Sequence, residues 1–143
     1  MADWHRLTIR SIDPDPRGGS IVTGAAHLGI ELPHAVEVAD VVHVSGTLDD
    51  GERSRLATAL ADPLLQHATW DAPIADGIEV TLLAGVTDTA ADAVLHAARQ
   101  LGIELHGAAS ARRIEFGATV GIELADEVVR RLVANPVIER WGH

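Results

Sequence analysis

An internal repeat constrains this chain more than any other feature of its sequence. Leu28-Gly29-Ile30-Glu31-Leu32 recurs as Leu101-Gly102-Ile103-Glu104-Leu105, a shift of 73 positions from 28 to 101. Without a gap, the same shift lays Ala61-Asp62-Pro63-Leu64-Leu65 onto Ala134-Asn135-Pro136-Val137-Ile138, Leu7-Thr8-Ile9 onto Val80-Thr81-Leu82, and Asp15 onto Asp88. Identity is sparse elsewhere; what persists is the order of apolar positions and breakers, which a shared fold preserves. The expected organisation is one copy over 1–70, a linker over 71–77 and a second copy over 78–143. Pro73, Gly77 and two acids mark the linker.

Each copy shows the same local signals. Leu7 and Ile9 alternate with Thr8 and Arg10, and Ile78, Val80 and Leu82 with Glu79 and Thr81, the period of a half-buried strand. Asp15 before Pro16 predicts a helix N-cap with proline in the first turn, and Thr87 or Asp88 serves in the second copy. Ile21, Ala25 and Leu28 then form one apolar stripe, as do Ala91, Val94, Ala98 and Leu101. Gly29 and Gly102 fall where a left-handed C-terminal cap is wanted.

Further strands are predicted over 36–44 and 109–116, and further helices near 49–61 and 122–134. These helices must stop at Asp62-Pro63 and Asn135-Pro136, because the residue before proline is pushed out of the helical region. Final strands are expected from Leu64 and Val137. The unit is β-α-β-α-β, so the fold class is α+β: two tandem ferredoxin-like subdomains expected to be related by pseudo-two-fold symmetry. One phase is inconsistent. Val36, Val38, Val42 and Val44 are even-numbered, whereas Ile114 and Phe116 match the odd positions 41 and 43. A bulge, or a strand buried on both faces, accounts for the slip.

Composition excludes several chemistries. The 143 residues are 47% apolar, enough for a core without staples. Cysteine is absent, which removes disulfides, thiolate metal sites and a cysteine nucleophile. Lysine is absent as well, and with it the P-loop lysine and Schiff-base chemistry. With 21 acids against 11 arginines the net charge is −10, which repels phosphate backbones, so no nucleic-acid partner is expected. No run of 18 apolar residues is present and no membrane partner is expected. Met1-Ala2-Asp3-Trp4-His5-Arg6 is unlike a signal peptide, giving a cytoplasmic expectation.

The second copy resembles a known family on several ordered pieces: Gly85-Val86-Thr87-Asp88-Thr89, a helix ending in Leu101-Gly102, Ser110-Ala111-Arg112-Arg113-Ile114-Glu115-Phe116, and Leu132-Val133-Ala134-Asn135-Pro136-Val137-Ile138-Glu139. Together they are similar to PurS, the small accessory subunit of phosphoribosylformylglycinamidine synthase. Thr89 stands where the family has proline, Ala111 where it has glycine and Arg112 where it has lysine. The first copy keeps Asp15-Pro16, Leu28-Gly29 and Asp62-Pro63-Leu64-Leu65-Gln66. The resemblance implies a non-catalytic, cofactor-free subunit of an ATP- and glutamine-dependent ligase complex in purine biosynthesis, bridging the synthetase and glutamine amidotransferase subunits for ammonia transfer. It also implies a monomer that mimics a two-chain PurS dimer, with further self-association open.

Arg112 and Arg113 lie on the family's G-K-x-I-E motif and are the partner-contact candidates; the competing reading pairs them with local acids such as Glu115. Arg17-Gly18-Gly19-Ser20 marks a helix start more than a phosphate cradle. His27 with His34, and His96 with His106, lack the i,i+4 spacing and a third ligand, so no metal site is expected. Trp4, Trp70 and Trp141 are expected to cover the core near the unit ends. An ACT-like module binding a small ligand shares the coarse β-α-β-α-β pattern and is the alternative reading.

Overall fold

The computed structural model describes residues 3–74 and 76–143; Met1, Ala2 and the linker's Ala75 lie outside the described residues. Period-two alternation becomes strand β1 (Trp4–Ser11), and Asp15 then opens helix α1 (Pro16–His27), its side chain accepting from the Arg17 backbone N–H. Strand β2 (Glu37–Ser45), helix α2 (Asp50–Leu60) and strand β3 (Gln66–Trp70) complete the first series. The second runs β4 (Ile78–Leu82), α3 (Thr89–Gln100), β5 (Gly107–Glu115), α4 (Ile122–Val128) with a π-helical turn (Val129–Val133), and β6 (Glu139–Gly142). The β-α-β-α-β order thus occurs twice, and the fold is α+β. Strand order in the six-stranded sheet is β3-β1-β2-β5-β4-β6. β1 runs antiparallel to both β2 and β3, and β4 antiparallel to β6.

The helix ends follow the predicted chemistry. Asp88 caps α3, its Oδ1 accepting the Ala91 N–H. Asp49 and Glu52 form a reciprocal capping box on α2, which satisfies two otherwise orphaned donors. Gly29 and Gly102 carry φ of +80° and +72° just past α1 and α3, a backbone state that only glycine adopts without strain.

Tertiary contacts divide the chain into two compact units. One is built from the residues up to Ile12, Asp40–Pro73 and Thr87–Ala111; the other from Asp13–Ala39, Ile74–Val86 and Arg112–His143. Each therefore draws on both sides of the 71–77 linker. In the first unit, α2 and α3 supply Leu56, Val94 and Ala98 to a core with Leu7 and Ile9 of β1 and Val42 and Val44 of β2. In the second, α1, α4 and the π turn bring Ile21, Ala125, Val128 and Val129 against Val38, Ile78, Val80 and Ile114. Gly18 of α1 lies so close to the chain that an added Cβ would stand 1.9 Å from the Val36 carbonyl oxygen.

Three expectations need correction. The final strands begin at Gln66 and Glu139, two residues later than Leu64 and Val137. The Asp62 and Asn135 side chains take the N–H groups that would have started the ladder. The predicted second-copy helix over 122–134 is part α and part π, closed by an Ala134 N–H to Val129 carbonyl bond of 2.8 Å. Leu28 and Trp4 are 40% and 56% exposed and belong to neither core. As expected of a helix start, the Gly18-Gly19 pair sits in the first turns of α1. The phase slip resolves as burial on both faces: Val38, Ala39, Val41 and Val42 are all buried in β2.

Candidate functional site

Strand alternation sends the two arginines of β5 in opposite directions. Arg113 is buried, its guanidinium 3.6 Å from Glu79 Oε1 and 3.7 Å from Glu115 Oε2. Arg112 is on the same side as Ile114 and reaches the C-terminal end of the second unit. Its Nη1 donates to Glu139 Oε2 at 2.7 Å, and its Nη2 donates to Glu139 Oε1 at 3.2 Å and to the Val133 carbonyl at 3.0 Å. This fork geometry is the one a guanidinium makes with a carboxylate at its strongest.

Glu139 is itself fully engaged. Its Oε1 also accepts the Asn135 N–H at 2.8 Å. Burial alone would push its carboxyl up; the Arg112 hydrogen bonds, the Asn135 N–H and the Arg112 charge outweigh burial and hold it below the usual range. The pair thus clamps a turn. Asn135 Oδ1 accepts the Val137 N–H at 3.0 Å, and the Asn135 carbonyl accepts the N–H groups of Ile138 (3.1 Å) and Glu139 (2.8 Å). Val137 is left 79% exposed at the tip.

The first unit builds the corresponding turn without an ion pair. Gln66 Oε1 accepts the Asp62 N–H at 2.8 Å, and Asp62 Oδ1 accepts the N–H groups of Leu64 (2.8 Å) and Leu65 (3.2 Å). At the 73-residue shift Gln66 stands for Glu139 and Ala39 for Arg112, so both members of the ion pair are missing together.

A cleft of about 350 Å3 in the second unit is walled by Pro16, Ile21, Val38 and Leu132, with Arg17 and Arg112 at its polar side. Arg17 pairs with Asp15 at 2.8 Å and Arg112 with Glu139, so each guanidinium there is matched by a carboxylate. The Ser20 hydroxyl donates to the Pro16 carbonyl. The chemistry of this arrangement is that of a clamp joining β5, the π turn and the Asn135–Glu139 turn, with α1 packed beside it.

The first unit has a second polar knot. Asp88 caps α3 and also accepts the Ser110 N–H and hydroxyl, each at 2.7 Å. Burial raises its carboxyl, but these hydrogen bonds with those of Ala91 and Ala90 hold it low. His5 bonds the Gly46 carbonyl through Nε2 at 3.0 Å and Arg53 through Nδ1 at 2.9 Å, so the ring carries its proton on Nε2. Trp70 donates its indole N–H to the Arg53 carbonyl, and Trp141 donates to Asp126; both rings also cover core residues. His27, His34, His96 and His106 are exposed. Among the described residues no group of three or more His, Asp or Glu is arranged to hold a metal ion.

Sequence reasoning singles out Arg112 but not its partner Glu139, nor Asn135, whose backbone N–H Glu139 accepts. The signal for them was the i,i+4 spacing of Asp62 with Gln66 and of Asn135 with Glu139, at the same place in each half. No helix among the described residues is long and apolar enough to cross a membrane. No curated protein matches the chain. The PurS family, described as phosphoribosylformylglycinamidine (FGAM) synthase, matches residues 77–142. That span contains β4 to β6, Arg112 with its Glu139 partner, and the turn they hold, so the second half of the chain is similar to the PurS family.

Proposed function

We propose that this chain is a non-catalytic bridging component of a phosphoribosylformylglycinamidine synthase, docking a glutaminase subunit and an ATP-using synthetase subunit so that ammonia passes between them. The family match over residues 77–142 carries this reading. The physical need for such a bridge is plain. Ammonia that escapes to neutral water is protonated and ceases to be a nucleophile, so the two sites must stay joined during transfer.

Two β-α-β-α-β series in one polypeptide support a further part of the reading. A covalent link replaces a bimolecular association by an intramolecular one at high effective concentration. On this reading the chain stands in for a pair of half-length subunits, and Arg112 orders the surface that meets a partner.

Reconstitution tests the proposal. Added to a synthetase and glutaminase that lack this component, the chain restores glutamine-dependent product formation and leaves the ammonia-dependent reaction unchanged. No complex on gel filtration and no gain in glutamine-dependent rate would sink it.

A further inference from the structure

The cleft of about 350 Å3 is walled entirely by residues of the second unit. Its shape follows from one close approach. An added Cβ at Gly24 would stand 3.2 Å from Leu132 Cδ2, so α1 and the π turn touch there. One turn earlier in α1, Arg17, Ser20 and Ile21 line the cleft together with Leu132 and Val133, so the two elements part toward the N-terminal end of α1. A π turn is a rare distortion of a helix, found often at functional sites. Ile21, Val38 and Ile114 are buried and give the wedge an apolar floor.

The polar side is cationic and not saturated. Arg112 spends at most three of its five N–H groups, on Glu139 and the Val133 carbonyl. Its Nε–H and one Nη1–H have no acceptor among the described residues, and its side chain is 32% exposed. Arg17 stands at the same side of the cleft. At the 73-residue shift Arg17 matches Ala90 and Arg112 matches Ala39, so the other half of the chain lacks both cations together. Asp15 and Glu139 lie behind the two guanidiniums, at 2.8 and 2.7 Å. A doubly charged anion such as phosphate meets both carboxylates, whereas a single carboxylate gains the donors at about half that repulsion.

We infer that this cleft binds a small organic monoanion, its carboxylate set against Arg112 and Arg17 and its apolar body wedged onto Ile21, Val38 and Ile114. The volume lies at the lower end of small-molecule sites, where a few polar groups orient a ligand held mainly by apolar walls. Guanidinium and carboxylate supply charge-assisted hydrogen bonds, the strongest kind open to these side chains. The site is a property of the chain alone and stands independently of the bridging reading.

The test titrates the full isotope-labelled chain with naphthalene-2-carboxylate and with the uncharged naphthalene-2-carboxamide, followed by two-dimensional NMR. Saturable amide shifts are expected at Ile21, Val38, Ile114 and Val133, with the carboxylate bound about tenfold more tightly than the carboxamide. Inorganic phosphate should not displace it. Arg17→Ala, and Arg112→Ala combined with Glu139→Gln, should each weaken the carboxylate about fivefold or more. Ser20→Trp fills the mouth from an exposed position and should abolish binding with both cations in place. Arg17 and Ser20 are exposed, so their variants still decide the matter if melting shows the double variant unfolded. Arg99→Ala removes an equal charge at an exposed position of α3, in the first unit, and should leave affinity unchanged. Shifts scattered outside the cleft, equal affinity for the two probes, displacement by phosphate, or an equal loss in Arg99→Ala overturns the inference. No saturation below about 10 mM overturns it as well.

Discussion

Two adjacent glycines in α1 show how strongly a single Cβ depends on its surroundings. At Gly18 it would stand 1.9 Å from the Val36 carbonyl oxygen, while at Gly19 nothing lies within 4 Å. Gly18→Ala should therefore destabilise by about 1–3 kcal/mol through overpacking, and Gly19→Ala stabilise by about 0.5–1 kcal/mol through lost backbone freedom in the unfolded chain. Chemical denaturation of the two variants checks the opposite signs. The Arg112–Glu139 pair gives a second test at this scale. Removing either partner alone leaves a part-buried charge unmatched and should cost about 1.5–3 kcal/mol. Arg112→Ala with Glu139→Gln reproduces the Ala39 and Gln66 of the first half, so the double variant should lose clearly less than the two single losses together.

Among elements, the helix caps differ in what else they hold. Asp15 accepts only from Arg17 among the bonds described, Asp49 shares a box with Glu52, and Asp88 both caps α3 and ties it to β5 through Ser110. Asp15→Ala should cost about 0.5–1 kcal/mol, near the low end for a cap. Asp88→Ala should cost more, because the Ser110 N–H loses its acceptor as well. Acid should reveal Asp15, Asp88 and Glu139. Arg17 hydrogen bonds hold Asp15 low; hydrogen bonds outweigh burial at Asp88 and, with the Arg112 charge, at Glu139. Folded values below the unfolded ones mean that the unfolded chain binds more protons in acid. Stability should be full above the ordinary carboxylate range and fall as pH drops through and below it, which denaturant midpoints measured from pH 7 to pH 2 would register. Glu139→Gln should flatten part of that slope.

For the whole molecule, the compact units cut across the halves of the sequence. Ile21, Val36 and Val38 from the first half complete the core around Ile78, Val80 and Ile114, and Val94 and Ala98 from the second complete the core around Leu7 and Ile9. A polypeptide of residues 78–143 alone would expose the apolar surface that α1 and β2 cover. It should not fold as a monomer: circular dichroism and sedimentation should find it unfolded or self-associated at micromolar concentration, and a monomer with a cooperative melt would contradict this.

Local chemistry in the sequence sufficed for the order of elements, for the cap at Asp15 and a second at Thr87 or Asp88, for the glycine ends at 29 and 102, and for the resemblance of the second half to PurS. These depend on neighbours within a turn or two, where residue type and spacing act directly. Tertiary structure alone decided which helix joined which core, that β2 is buried on both faces, that Trp4 and Leu28 stay in water, and that Arg112 turns to Glu139, 27 residues away. Those outcomes come from contacts between distant segments competing for the same apolar surface and the same charge, and no periodicity along the chain encodes which competitor wins.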